Sequence, residues 1–119
     1  MFEFTDLTKD NVIAFKAYGK IEERDYDKLT ALLDKTEREG KPLRLLIDVG
    51  DIKGITAEAL LKDVATYFRH ARKMERVAVV GENKLHEKTW AKLADPFMKA
   101  DVRYFPREKG VIAEEWIRE

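Results

Sequence analysis

The run LRLLIDV, Leu43–Val49, constrains the fold most. It is nearly continuously apolar, without the every-other-residue polarity of a half-exposed strand. Such a strand is covered on both faces, and that is the environment of the central strands of parallel sheets. RVAVVG, Arg76–Gly81, has the same character. Parallel neighbours need a crossover, usually a helix. The intervening AEALLKDVATYFRHARK supplies one, with apolar residues at Ala57, Leu60, Leu61, Val64, Phe68 and Ala71. At 1.5 Å per residue that helix would be about 25 Å long.

The same alternation extends in both directions. FEFT and VIAFKAYG, with DLTKDN between them, predict a starting hairpin. In the next segment Tyr26, Leu29, Leu32, Leu33 and Thr36 share a helical face, and Gly40 followed by Pro42 stops that helix. NKLHEKTWAKLADPFMKA predicts a helix with His86, Trp90, Leu93 and Phe97 on one stripe, ending or kinking before Pro96. DVRYFP is a last short strand, and GVIAEEWIRE a terminal helix with Ile112 and Trp116 one turn apart. The predicted architecture is α/β: a mixed five-stranded sheet, an N-terminal hairpin followed by β-α alternation, and about four helices, in a single domain over residues 1–119.

Composition narrows the chemistry. The chain lacks cysteine, serine and glutamine, so disulfides and Ser–His or Cys–His nucleophile systems are excluded. Basic and acidic residues balance to no net formal charge, which argues against a general nucleic-acid binder. MFEFTDLTKD has neither the basic nor the apolar region of a secretory signal, and no apolar run approaches membrane-span length; a cytoplasmic location is expected.

The junction IDVGDIKGITAEALLKD is one candidate site. A loop at the carboxyl end of a central parallel strand, feeding a helix, is where α/β sheets place ligands. The residues of interest, read as a partner- or anion-binding or switch loop, are Gly50, Asp51, Gly54, Ile55 and Thr56, the last as N-cap and as a residue whose phosphorylation would add charge at the helix start. A competing structural reading has the glycines shaping a tight turn and Thr56 merely capping, and it is favoured because neither GxGxxG nor GxxxxGK[ST] is present. Asp48, Asp51 and Asp63 lack Asp-x-Asp spacing, and neither His70 nor His86 has a ligand partner three or four residues on, so no metal or cofactor is expected.

The aromatic residues of the second half form the other candidate. Tyr67, Phe68, Trp90, Leu93 and Phe97 would line an apolar pocket if the helix at 84–98 acted as a cover. Core filling is the simpler explanation for an aromatic stripe. An exposed patch for a second copy or another protein is a third. Lys84, Lys88, Lys92 and Lys99 on the same helix would permit peripheral membrane contact at most.

The C-terminal pattern sharpens this. His86-Glu87, Trp90, Lys92-Leu93, Pro96-Phe97, Ala100-Asp101-Val102-Arg103-Tyr104-Phe105 and Trp116-Ile117 resemble the SpoIIAA-like branch of the STAS-type domains. The resemblance implies a STAS/SpoIIAA-like fold. It also implies an apolar ligand, through likeness to lipid-transfer domains of the CRAL-TRIO type. In the classical anti-sigma factor antagonists, a phosphorylatable serine follows the central strand and controls a partner complex. This chain has Gly54, Ile55 and Thr56 there and no serine. The expected function is a non-catalytic binding module for a small apolar or amphipathic ligand beneath the helix at 84–98, with a homodimer possible. The alternatives are a protein-interaction regulator acting through residues 50–58, and an enzyme of unassigned type.

Overall fold

The computed structural model describes residues 1–68, 74–82 and 100–119. Its elements are β1 (Phe2–Phe4), β2 (Val12–Lys20), α1 (Glu23–Glu39), β3 (Leu43–Lys53), α2 (Ala57–Phe68), β4 (Met74–Gly81), β5 (Asp101–Pro106), a 3-10 turn (Arg107–Lys109) and α3 (Gly110–Arg118). The five strands form one sheet in the order β1-β2-β3-β4-β5. β1 is antiparallel to β2, and every later pairing is parallel. The mixed five-stranded α/β fold is therefore as predicted. The helix count differs: three α-helices stand among the described residues rather than about four, and the helix expected at 84–98 falls outside them.

Residue parity along the strands divides the core into two layers. Ile13 and Phe15, Leu45 and Ile47, and Val77 and Val79 face one side, where Leu29, Leu33, Leu60, Leu61, Val64 and Phe68 of α1 and α2 cover them. Their neighbours Ala14, Leu46, Ala78 and Val80 face the other side, against Ala113, Trp116 and Ile117 of α3. Double coverage is what the continuous apolar runs demanded. The second face carries alanine at the centres of β2 and β4, and small side chains let a helix approach the sheet closely.

Local chemistry sets the boundaries. α1 ends at Gly40, whose φ of 71° is left-handed and whose N–H donates to Glu37 O. It begins two residues before Asp25, because that carboxylate accepts the Glu22 N–H at 2.8 Å. α3 uses a different stripe from the one expected: Ala113, Trp116 and Ile117 are buried, whereas Ile112 is 51% exposed. In helical phase Ala113 falls between Trp116 and Ile117, and Ile112 lies about 90° from the centre of that face.

Candidate functional site

The junction after the central strand is built differently from the loop expected. β3 runs past Val49 to Lys53, so Gly50 and Asp51 are strand residues. Ala17 lies opposite Val49 and Gly19 opposite Ile52, so β3 contains one residue more than β2 across this interval. This is a β-bulge, a device that re-aims side chains at strand ends. Past it, Ile52 packs against the first-face core. Gly50 sits close to its neighbour strand: a Cβ there would lie 3.3 Å from Ala17 O, a tight contact, and 3.5 Å from Tyr18 Cβ. The tight turn rests on Gly54 alone, at φ 79°.

Thr56 caps α2. Its hydroxyl oxygen accepts the Ala59 N–H at 3.1 Å, and its carbonyl accepts the Leu60 N–H at 3.0 Å. The Ala59 N–H would otherwise be an orphan of the first turn, and the Leu60 bond is the first of the helix's regular ladder. Thr56→Ala is expected to cost about 1 kcal/mol, read as a lower denaturant midpoint with an unchanged m-value.

A cleft of about 250 Å³ opens at this junction. Val49 and Gly50 come from the end of β3, Thr56, Ala57 and Glu58 from the start of α2, and Gly81 and Glu82 from the end of β4. It occupies the crevice outside the carboxyl ends of parallel strands. Val49 and Gly81 are buried and make an apolar floor, while Glu58 and Glu82 are exposed carboxylates at the rim. Of the five junction residues singled out from sequence, Gly50 and Thr56 line the cleft; Asp51, Gly54 and Ile55 do not.

Arg107 ties the neighbouring strand ends together. It donates to Asp48 Oδ1 at 2.7 Å, to Val49 O at 2.6 Å and to Glu82 Oε1 at 3.3 Å. The Tyr104 hydroxyl adds a bond to Gly81 O at 3.0 Å and also contacts Glu82 O. Burial, then the nearby Glu82 charge, push the Tyr104 phenol above its ordinary pKa, so it stays a donor at neutral pH. Arg107→Ala is expected to cost about 1–2 kcal/mol in chemical denaturation, because it strands Asp48 and Val49 O but at a partly solvated site.

The three aspartates considered for a metal are dispersed in their bonding. Asp48 pairs with Arg107, Asp63 accepts from the Tyr26 hydroxyl at 3.3 Å, and Asp51 is exposed. Among the described residues no group of three His, Cys, Asp or Glu side chains is placed to hold an ion. His70 and His86 lie outside the described residues.

The aromatic candidates divide. Phe68 is 3% exposed in the core beneath α2, whereas the adjacent Tyr67 is 42% exposed. The Tyr67 ring stacks on Tyr26 at 5.1 Å and 13°. Burial, then the charge and hydrogen bond of Asp63, push Tyr26 up to about 12. Consecutive helical residues point about 100° apart, which sets Phe68 toward the core and Tyr67 toward the surface. Trp90, Leu93 and Phe97 lie outside the described residues, as do the cationic residues Lys84, Lys88, Lys92 and Lys99.

Sequence reasoning missed Gly81, Glu82 and Arg107 as parts of this site. Arg107 meets Asp48 across 59 residues, and no local pattern encodes that contact. The apolar run ending in Gly81-Glu82 was a usable signal, because a parallel neighbour of β3 must deliver its carboxyl end to the same crevice.

The SpoIIAA-like family model matches residues 12–118. Among solved structures, the chain is similar to an uncharacterised protein of the DUF3478 family with a SpoIIAA-like fold from Shewanella loihica PV-4. The two share 27% sequence identity at a TM-score of 0.64, over 98% of this chain and 92% of the other. No curated protein matches the chain significantly. Among the described residues, no helix is long and apolar enough to cross a membrane.

Proposed function

Because this chain belongs to the SpoIIAA-like family, we propose that it is a non-catalytic binding module whose recognition site is the cleft between β3, β4 and the start of α2. The observation that carries this reading is the cleft itself. Its place is the junction through which STAS-type antagonists meet their partners, and it keeps an apolar floor open to solvent. Its volume of about 250 Å³ lies below the roughly 300–1,000 Å³ of drug-sized ligand pockets. That size suits one inserted side chain or a small apolar group and is too small to enclose a lipid chain. The cleft is accordingly suited to regulatory recognition of a protein partner.

The Gly50 bulge and the Arg107 clamp support the same reading. They fix the strand ends before anything binds, and a preorganised site avoids part of the ordering cost of association. Thr56 belongs to the fold first, since its hydroxyl is engaged in capping.

The test is a fragment titration of the isotope-labelled full chain, followed by NMR. Small apolar and amphipathic fragments are expected to perturb the amides of Gly50, Ala57 and Gly81. Ala57→Leu, which fills the cleft, is expected to abolish those shifts with the rest of the spectrum retained. Fragment shifts that ignore Ala57→Leu, or none at all, would overturn the assignment of the cleft.

A further inference from the structure

We infer that the cleft is selective for a basic side chain: it takes the aliphatic stem of a lysine or arginine presented by a protein partner, with the cationic head at Glu58 and Glu82. The inference rests on the cleft reading above and adds the partner's chemistry to it.

The argument begins with the shape of the site. A floor of Val49 and Gly81, flanked by Ala57, offers apolar contact at depth, and the two carboxylates stand at the mouth. An apolar floor under a charged rim matches an amphipathic side chain, which buries its methylenes and keeps its charge in water. A purely apolar group would satisfy the floor and leave the carboxylates without gain.

The electrostatic balance favours a cation. The start of α2 contributes roughly half a positive charge. Against it stand two full negative charges on the lining, Glu58 and Glu82. Among the described residues Arg107 is the one cation bonded here, and its shortest contacts, 2.7 and 2.6 Å, go to Asp48 and Val49 O; Glu82 receives a longer one at 3.3 Å. Glu58 has no hydrogen-bond or ion-pair partner among the described residues. An anionic group entering the cleft would meet both carboxylates, and like charges across an interface suppress a wrong partner.

The probes are Nα-acetyl-lysine methylamide, its norleucine analogue, which matches the stem without charge, and the corresponding glutamate derivative. Each is titrated into the labelled full chain at low salt, with the amides of Gly50, Ala57, Gly81 and Glu82 followed by NMR. The lysine probe is expected to bind in the millimolar range. Its affinity should fall about five- to tenfold in Glu58→Gln/Glu82→Gln, and by a similar factor with high salt. Glu58→Gln alone leaves the Arg107 clamp intact and is expected to show part of the loss, which separates charge from any structural effect of altering Glu82. Equal binding of lysine and norleucine probes, or tighter binding of glutamate, would overturn the preference for a cation while leaving the cleft as a binding site. No cleft shifts from any of the three, together with no shifts in the fragment titration, would remove both.

Discussion

Replacing Trp116 with alanine is expected to destabilise the domain by about 3–5 kcal/mol and to lower its melting temperature by roughly 10–20 °C. Trp116 is 6% exposed and is the largest side chain in the layer between α3 and the second face of the sheet. It packs on Phe105 at 5.8 Å and lies under the guanidinium groups of Arg76 and Arg103, at 5.2 and 4.7 Å from the ring. Opposite it the sheet presents Ala14 and Ala78, which cannot expand to fill the space it would leave. Hydrogen exchange locates the damage: protection at 110–118 should be lost first, with β3 amides retaining theirs, since the first-face core is built from other residues. Uniform loss across the sheet would show instead that α3 and the sheet unfold as one unit.

The docking of α3 also has a polar component, made through backbone carbonyls that alanine at 116 retains. Arg76 donates to Trp116 O at 2.7 Å and Arg44 to Ile117 O at 2.9 Å, so two cations from β3 and β4 satisfy carbonyls in the last turn of α3. Cations there also complement the negative end of the helix dipole. This helix reaches the cleft indirectly. The 3-10 turn that precedes it carries Arg107, whose bonds hold Asp48 and Val49 O beside the floor. An undocked α3 would loosen that clamp, and Trp116→Ala is accordingly expected to weaken probe binding in the cleft as well as the fold.

These contacts show why some of the molecule was legible from sequence and some was not. Leu43–Val49 and Arg76–Gly81 revealed two doubly covered strands because burial on both faces removes polar alternation. Gly40 and Thr56 announced helix ends because their roles are local: a left-handed backbone in one case and an N–H accepted from within the same turn in the other. The extension of β3 through Gly50–Lys53 was hidden, since the bulge breaks the very periodicity that identifies a strand. The cleft was half legible. Gly50 and Thr56 lie in one segment, but Gly81 and Glu82 join them through β3–β4 pairing and Arg107 through a still longer closure. The separation of Tyr67 from Phe68 is a matter of helical phase, and the choice of which residue faces the sheet is made by packing.

Asp25 carries the second large effect. It is 3% exposed, and each of its oxygens accepts one backbone N–H: Oδ1 from Phe2 at 2.9 Å and Oδ2 from Glu22 at 2.8 Å. One carboxylate thus fixes the start of α1 and the pairing of β1 at once, which explains a buried acid beside an otherwise apolar layer. Asp25→Ala leaves two N–H groups without acceptors and is expected to cost about 2–4 kcal/mol in chemical denaturation. Asp25→Asn keeps the shape but turns an amide NH₂ toward one of the two donors, so it should lose roughly half of that. The pH dependence has a defined sign. Burial pushes the Asp25 carboxyl up, but the two backbone N–H groups, with the nearby Met1 ammonium and Lys28 charges, more than offset it and hold the group below its ordinary value of 3.8. A carboxylate whose pKa is lowered by folding contributes its full stabilisation above the unfolded value and loses it as pH falls through the folded one. The stability gap between the native protein and Asp25→Asn should therefore be constant near neutral pH and narrow as pH drops below about 3.8. Parallel acid limbs for the two proteins would mean that the Asp25 charge contributes nothing and that the asparagine penalty is geometric alone.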